Sequence, residues 1–375
     1  MSAPTITTDD RTHLRRALEL ARGGAGRVSP NPLVGAVIVR DGETLGEGFH
    51  ARLGDLHAER AALADCRERG TDPVGATMYV SLEPCAHSGR QPPCTEAIIE
   101  AGIARVVVGC DDPDERASGR GPGILRDEGI AVDFADGAEA AAARLANQPF
   151  RKRARTAVPH VVLKAAMSLD ARIATAQGDS KWISGAVSRA RVHQWRAETD
   201  AVAVGIGTVL ADDPLLTARD VATARQPLRV VFDSRARLPL DSQLVRTLPD
   251  GPVLAIASPD ADAGRVGALR DAGVEVLPVP GDDPQRVTGA LRDLGGREVS
   301  SVLLEGGARL AGAFYEAGEV DELRLFVAPL LLGATGRPLL ETSGVLTVGE
   351  APRALRLDVE ASGEDALLIA RLREW

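Results

Sequence analysis

From residue 8 the chain sets apolar side chains at Leu14, Ala17, Leu18 and Ala21, the i, i+3, i+4, i+7 spacing of a helix with one buried stripe. Thr8, Asp9 and Asp10 ahead of it supply a cap and an acidic first turn. Short apolar runs then alternate with helical ones. LVGAVIV (33–39), ATMYVSL (76–82) and ARVVVGC (104–110) read as buried strands, while HAERAALADCRERG (57–70), closed by a glycine, and CTEAIIEAG (94–102) read as helices. GILRDEGIAVDFAD adds one more helix and strand. Strands joined by helices predict a layered α/β sheet. The periodicity lapses over 148–158, QPFRKRARTAV, where basic residues gather; this is the expected linker between a domain over 1–147 and another over 159–375. Beyond it the alternation restarts with HVVLKAAMSLDARIAT, AVAVGIGTVLADDP, LRVVFDS, PVLAIAS, VEVLPVP, VSSVLLEGGARLAGAFYEAG and DELRLFVAPLLLG, a second α/β domain without internal repeat.

A length of 375 residues suits two domains, each able to bury its own core. Apolar content of 44% and a mean hydropathy of −0.05 fit a globular chain with no run long enough to span a bilayer. The N-terminus lacks the apolar segment of a signal peptide, so a cytoplasmic protein that does not bind membranes is expected. Net charge is −9, and residues 1–150 carry 16 arginines against 23 acidic residues. No broad basic field is available, so nucleic acid is not an expected partner. Four cysteines do not make a disulfide framework. Cys66 and Cys110 fall in apolar runs and read as small buried side chains.

Cys85 and Cys94 are different. They follow prolines in SLEPCAHSGRQPPC, downstream of His57-Ala58-Glu59. Thiolate and imidazole hold zinc, and three protein ligands leave the fourth position free for chemistry. His57 and Cys94 each open a predicted helix, whose positive end favours a thiolate. Glu59, two residues past the histidine, is placed to move protons rather than to bind the metal. H-x-E followed by P-C-x-x-C is the signature of zinc deaminases, but here eight residues separate the cysteines instead of two. Pro84, Pro92 and Pro93 stiffen both approaches, so AHSGRQPP can form an excursion with polar side chains for a substrate. A structural zinc with His87 as fourth ligand is the competing reading. His50 reads equally as a solvated loop residue or a substrate contact; Asn31, between two prolines, as a turn residue or an amide that reads a pyrimidine edge.

In the second half, Gly205 and Gly207 follow one strand, and Gly306 and Gly307 lie between another strand and a helix. Such glycines let backbone N–H groups approach a phosphate, although each pair alone reads more simply as a strand-to-helix turn. Arg196 and Arg219 offer the planar charged fork that a sugar phosphate takes. Lys164, one of three lysines, ends a strand and reads as a residue that orients a ribose or assists protonation, or as a surface lysine.

NPLVGAVIV, HAE, SLEPCAHSGRQPPCTEAIIEAGI and GRGPGILRDEGIAV, with LKAAMSLDARIAT, GDSKWIS, VHQWRAETDAVAVGIGTVLADDPLLTAR, VVFDS and LLEGGARLAGAF, together resemble the RibD family of bifunctional riboflavin-biosynthesis enzymes. The resemblance runs from about residue 9 to the end. It implies a cytidine-deaminase-like three-layer domain followed by a dihydrofolate-reductase-like α/β domain. The implied activities are hydrolytic deamination of 2,5-diamino-6-ribosylamino-4(3H)-pyrimidinone 5′-phosphate, then NADPH reduction of 5-amino-6-(5-phosphoribosylamino)uracil to the ribitylamino product. One zinc ion per deaminase domain is implied on His57, Cys85 and Cys94, with Glu59 as proton shuttle and Asn31 and His50 near the substrate. The resemblance places NADPH on Ala166, Trp182, Thr208, Asp212, Ser234 and Gly307, and the second substrate on Ser180, Arg196, Leu216, Arg219 and Glu305. A homo-oligomer is expected. The family's glycine in the S-L-D-G turn is Ala171 here, which costs about 1 kcal/mol if the backbone there is left-handed. Two rivals stand beside this reading: a nucleoside or nucleic-acid zinc deaminase with an unrelated C-terminal domain, and a zinc-stabilised binding protein without turnover.

Overall fold

A computed structural model describes residues 6–87, 91–114 and 117–375. Two compact units divide the chain, Met1–Thr156 together with Trp375, and Ala157–Glu374. In the first, the elements are α1 (Thr8–Ala21), β1 (Gly35–Arg40), β2 (Glu43–Phe49), α2 (Ala58–Arg69), β3 (Thr77–Val80), α3 (Cys94–Glu100), β4 (Arg105–Val108), α4 (Arg120–Asp127), β5 (Ala131–Phe134), α5 (Gly137–Ala146) and α6 (Gln148–Thr156). The strands form one sheet in the order β2-β1-β3-β4-β5. β1 runs antiparallel to β2 and β3, whereas β3, β4 and β5 are parallel. Leu14 and Ala17 of α1 pack on Val37, Tyr79 and Val107 on one face. Ala62, Ile98 and Leu125, from α2, α3 and α4, pack on Ile38, Met78 and Val106 on the other. The unit is therefore a three-layer sandwich.

Two local expectations differ from the structure, and one element was not foreseen. The cap of α1 is Thr7, which accepts from the Asp10 backbone while the Asp10 side chain takes the Thr7 N–H, a reciprocal capping box. Strand β2, glycine-interrupted and rich in glutamate, carries no apolar run to announce it. Residues 148–156, expected to be linker, are helix α6, with Gln148, Arg151 and Lys152 buried. Long side chains bury their stems while the charged ends find partners, so a polar run can still be helical and packed. Arg151 does this through the Asp111 carbonyl at 2.7 Å.

In the second unit the elements are β6 (His160–Ser168), β7 (Arg172–Ala174), α7 (Ala186–Glu198), β8 (Ala201–Gly205), α8 (Ile206–Asp212), β9 (Leu228–Phe232), α9 (Gln243–Arg246), β10 (Val253–Ala257), α10 (Ala263–Asp271), β11 (Glu275–Pro278), α11 (Asp283–Gly296), β12 (Ser301–Leu304), α12 (Ala308–Glu316), β13 (Glu322–Ala328), β14 (Arg337–Pro338), β15 (Arg356–Ser362) and β16 (Asp365–Arg371). Nine strands make one sheet, β11-β10-β9-β8-β12-β6-β13-β16-β15, and β14 pairs with β7 apart from it. The strands from β11 to β13 are parallel; β16 and β15 form a hairpin antiparallel to β13. Leu163, Leu304 and Ile256 face Leu291 and Phe314 of α11 and α12, and Val202, Val231 and Ala255 face Val209 and Leu269 of α8 and α10. Both faces of the parallel sheet are thus covered, which is why its strands read as continuous apolar runs.

Candidate active sites

The first site gathers at the carboxyl end of β3. His57 is the N-cap of α2, Cys94 is the first residue of α3, and Cys85 lies in the loop between β3 and α3. Helix α4 fixes that loop: a side-chain carbon on Gly121 would stand 2.0 Å from the Pro84 carbonyl, so α4 approaches the ligand loop as only glycine permits. His57 Nδ1 stands 3.4 Å from Cys94 Sγ and 3.6 Å from Cys85 Sγ, and the Cys94 N–H donates to Cys85 Sγ at 3.3 Å. One atom from each of the three lies within 4.8 Å of the other two. Two sulfurs and an imidazole nitrogen are a zinc donor set with its fourth position open. His87 is exposed and outside the trio, so among the described residues no four-ligand structural site forms. Ser88, Gly89 and Arg90 of the expected excursion lie outside the described residues.

The electrostatics match this chemistry. A hydrogen bond from Cys94 and another from His57 hold the Cys85 thiol down at about 4 against the effect of burial. Its partner Cys94 is pushed up by that same hydrogen bond and by burial. Glu59, in the first turn of α2, is 3% exposed, and burial followed by the charge of Cys85 pushes its carboxyl up to about 7. It can hold or release a proton near neutrality. His50 is buried rather than solvated: its Nδ1 donates to the Leu56 carbonyl at 3.0 Å, and Asn31 Nδ2 donates to its Nε2 at 3.2 Å. Its ring stands edge-on to His57 at 5.4 Å, which brings Asn31 and His50 to the rim of the trio. Burial lowers the His50 pKa.

The second site is a cleft at the carboxyl ends of β6, β8, β9 and β12, where ligands of open α/β sheets sit. One part, about 660 Å³, is lined by Lys164, Ala166, Trp182, Arg196, Leu216, Arg219 and Glu305 among others. A second part, about 340 Å³, reaches Ser234 and Ala313. Ser180, Thr208, Asp212 and Gly307 line both. Arg196 is expected, with Arg219, to offer a charged fork to the sugar phosphate. It is instead clamped on Glu305, Nε and Nη2 donating to the two carboxylate oxygens at 2.6 and 2.9 Å, with Lys164 Nζ 3.6 Å away. Burial opposes charge on Glu305, but Arg196 and Lys164 outweigh it and hold the carboxyl down at about 2. Lys164 is no surface lysine; burial lowers its pKa. Arg219 donates to Thr217 Oγ1 at 3.1 Å and remains directed at the cleft.

Sequence reasoning overlooked several lining residues. His193 Nδ1 accepts the Arg219 backbone N–H at 3.2 Å, and the Arg189 guanidinium lies 4.8 Å over Trp182. Arg237, Arg286, Arg309 and Arg337 converge on the smaller part from four separated segments, so no local signal announced them. Ala171 has φ 59°, the left-handed conformation in which alanine is strained. Its turn is pinned by Asp170, which accepts from Ser168 Oγ at 2.6 Å and from the Gly333 N–H at 2.7 Å.

Comparison with known proteins decides between the rivals. A family model described as "RibD C-terminal domain" matches residues 159–368, and one described as "Cytidine and deoxycytidylate deaminase zinc-binding region" matches residues 7–110. The riboflavin biosynthesis protein RibD of Actinobacillus pleuropneumoniae is 40% identical, over 96% of this chain and 95% of its own length. The chain belongs to the RibD family. RibD of Escherichia coli is 39% identical over 96% of the chain and 98% of its own length. Among solved structures, Acinetobacter baumannii RibD superposes with a TM-score of 0.85 at 38% identity, covering 98% of this chain and 99% of that one. The diaminohydroxyphosphoribosylaminopyrimidine deaminase/5-amino-6-(5-phosphoribosylamino)uracil reductase of Thermotoga maritima gives 0.84 at 36%, covering 97% of this chain and 99% of that one. As a member of this family, the chain is a bifunctional riboflavin-biosynthesis enzyme with a zinc-binding deaminase domain and a reductase domain. A deaminase with an unrelated C-terminal domain would not match RibD relatives along its whole length. Among the described residues no helix is long and apolar enough to cross a membrane.

Proposed function

We propose that His57, Cys85 and Cys94 hold one zinc ion and that Glu59 carries protons in the hydrolytic deamination of 2,5-diamino-6-ribosylamino-4(3H)-pyrimidinone 5′-phosphate. The second cleft then reduces 5-amino-6-(5-phosphoribosylamino)uracil with NADPH. The deaminase domain is assigned to 1–147 and the reductase to 159–375. The observation that carries the reading is the trio of soft donors, with Cys94 buried and His57 and Cys85 half-buried, beside a buried acid outside the trio whose carboxyl burial pushes up to about 7. When bound, zinc supplies Lewis acidity that makes water reactive near neutral pH, and reduced nicotinamide supplies the hydride. The Glu59 carboxylate takes the proton from attacking water and delivers it to the departing amine, which leaves as ammonia. Asn31 and His50 orient the pyrimidine at the rim of the site.

In the second cleft, Ala166, Trp182, Thr208, Asp212 and Ser234 contact the dinucleotide, and the N-terminus of α12 at Gly307 faces its pyrophosphate. Arg286 and Arg309 in the smaller part are held by Asp283, while Arg237 and Arg337 suit a cofactor with an additional phosphate, which favours NADPH. Ser180, Leu216 and Arg219 hold the phosphorylated substrate, and Arg196 acts through Glu305, whose carboxylate it aims. Hydride adds to the sugar C1′; the ring C–O bond breaks, and the ring oxygen takes a proton, for which Lys164 is placed. Four free cysteines suit the reducing cytoplasm. Glu59→Gln tests the first half: ammonia release should fall by about 10²–10⁴-fold while zinc per chain, read by elemental analysis, stays at one. Loss of zinc in that variant would place Glu59 among the ligands and overturn its role.

A further inference from the structure

Between α8 and β9 the chain runs through residues 213–227 without helix or strand, and this stretch carries Leu216 and Arg219 into the reductase cleft. Its middle is buried, with Leu216, Thr217 and Ala218 at most 5% exposed. Leu216 at φ 57° and Asp220 at φ 59° are left-handed, which breaks any regular run on both sides of Thr217–Arg219. Backbone groups outside a ladder must find side chains instead. The Ala218 N–H and carbonyl both pair with the Gln226 side-chain amide, at 2.8 and 2.9 Å, and the Leu215 carbonyl accepts from Arg229 Nη1 at 3.3 Å. The groups flanking Ala218 are taken by a single helix. The Thr217 carbonyl accepts from Arg196 Nη1 at 3.2 Å, and the Arg219 N–H donates to His193 Nδ1 at 3.2 Å. His193 and Arg196 are i, i+3 neighbours on one face of α7. Arg219 Nη1 in turn donates to Thr217 Oγ1 at 3.1 Å, so its backbone and its side chain are both referred to α7. Arg196 already has a place beside Glu305; His193 has none in the chemistry described.

We propose that His193 is a positioning residue of the reductase: by accepting the Arg219 N–H, it fixes the point from which the Arg219 guanidinium reaches the phosphate of the pyrimidine substrate. This role rests on the function proposed for the cleft, in which Arg219 holds that phosphate. An arginine side chain is long and free to turn, so its guanidinium meets a phosphate with two parallel hydrogen bonds only where its backbone and its reach are both set. Helix α7 sets the first through His193 and the second through Arg196 and Thr217. The role demands an acceptor at the place of Nδ1, and so a ring unprotonated on that nitrogen. Burial, followed by the charges of Arg196 and Arg219, lowers the His193 pKa and favours that form, while the Thr217 carbonyl opposes the shift. No contact with the reacting carbon is required. Holding the phosphate acts equally on bound substrate and transition state, so the effect of His193 belongs in KM and not in kcat.

Steady-state reduction of 5-amino-6-(5-phosphoribosylamino)uracil by the full chain, at saturating NADPH, separates the two constants. His193→Leu removes the acceptor and should raise KM for the pyrimidine by about tenfold, the loss expected for a hydrogen bond, with kcat changed by less than about twofold. His193→Asn presents an amide oxygen bonded to Cγ, as Nδ1 is, and should return KM to within about twofold of the parent value. The KM for NADPH and the rate of ammonia release should not move in either variant. If the leucine variant misfolds, His193→Ala takes its place in the same comparison. An unchanged KM on loss of the acceptor, a fall in kcat as large as the rise in KM, or an asparagine variant no better than the leucine one would overturn the inference while the function proposed for the cleft stands. A parent chain that oxidises no NADPH with this substrate would overturn that function, and the inference with it.

Discussion

The candidate zinc trio and Glu59, which the fold brings together, were legible because zinc chemistry demands rare side chains, and two of the three candidate ligands open helices that the periodicity had already located. Arg196 was only half legible. Its residue type pointed to the cleft, but its commitment to Glu305, 109 positions away, is a product of the sheet order that brings β12 beside β8. Lysine cannot reproduce the forked pair, so Arg196→Lys should lower reduction by about 10–100-fold, the equivalent of the 1.5–3 kcal/mol carried by a hydrogen bond to a charged group. Ammonia release by the same preparation should not change. Glu305 also gives a pH signature. Its carboxyl is held at about 2 against an ordinary value of 4.5, so its stabilising effect is complete above about 4.5 and lost as pH falls through 2. Urea midpoints measured across that window should slope less steeply for Glu305→Gln than for the parent chain, the remaining slope coming from other held-down carboxyls such as Asp10 and Asp170. Ala171 is a further residue whose cost was foreseeable from a missing glycine. With φ at 59°, Ala171→Gly should stabilise the chain by about 1 kcal/mol, seen as a raised urea midpoint at constant slope.

At the scale of elements, apolar runs located β1, β3, β4 and the parallel strands of the second unit, because strands covered on both faces are apolar throughout. What the pattern hid were elements whose burial is not apolar: β2, and α6 with its buried arginine and lysine. Two helices position sites through glycine contacts that spacing alone could not reveal. Gly121 lets α4 touch Pro84 beside Cys85, and Gly312 lets α12 approach Glu341, whose carbonyl would stand 2.1 Å from an added side-chain carbon. Glu341 lines the smaller part of the reductase cleft. Gly312→Ala should therefore raise the KM for NADPH more than it lowers kcat, with deamination unchanged as the internal control. An equal effect on both activities would mean general destabilisation instead.

For the whole molecule, two units that each bury their own core place the two chemistries in separate frameworks, consistent with a chain read from its composition as two domains. Removing the metal should then act on one activity alone. Chelation should abolish ammonia release, yet leave NADPH oxidation intact when the deaminated pyrimidine is supplied directly. The most direct test of the central claim is to give the zinc-loaded chain 2,5-diamino-6-ribosylamino-4(3H)-pyrimidinone 5′-phosphate with NADPH and follow ammonia and NADPH together. The expected record is ammonia appearing first, with NADPH oxidised after a lag and in equal amount. Zinc-loaded, folded protein that releases no ammonia from this substrate would contradict the account.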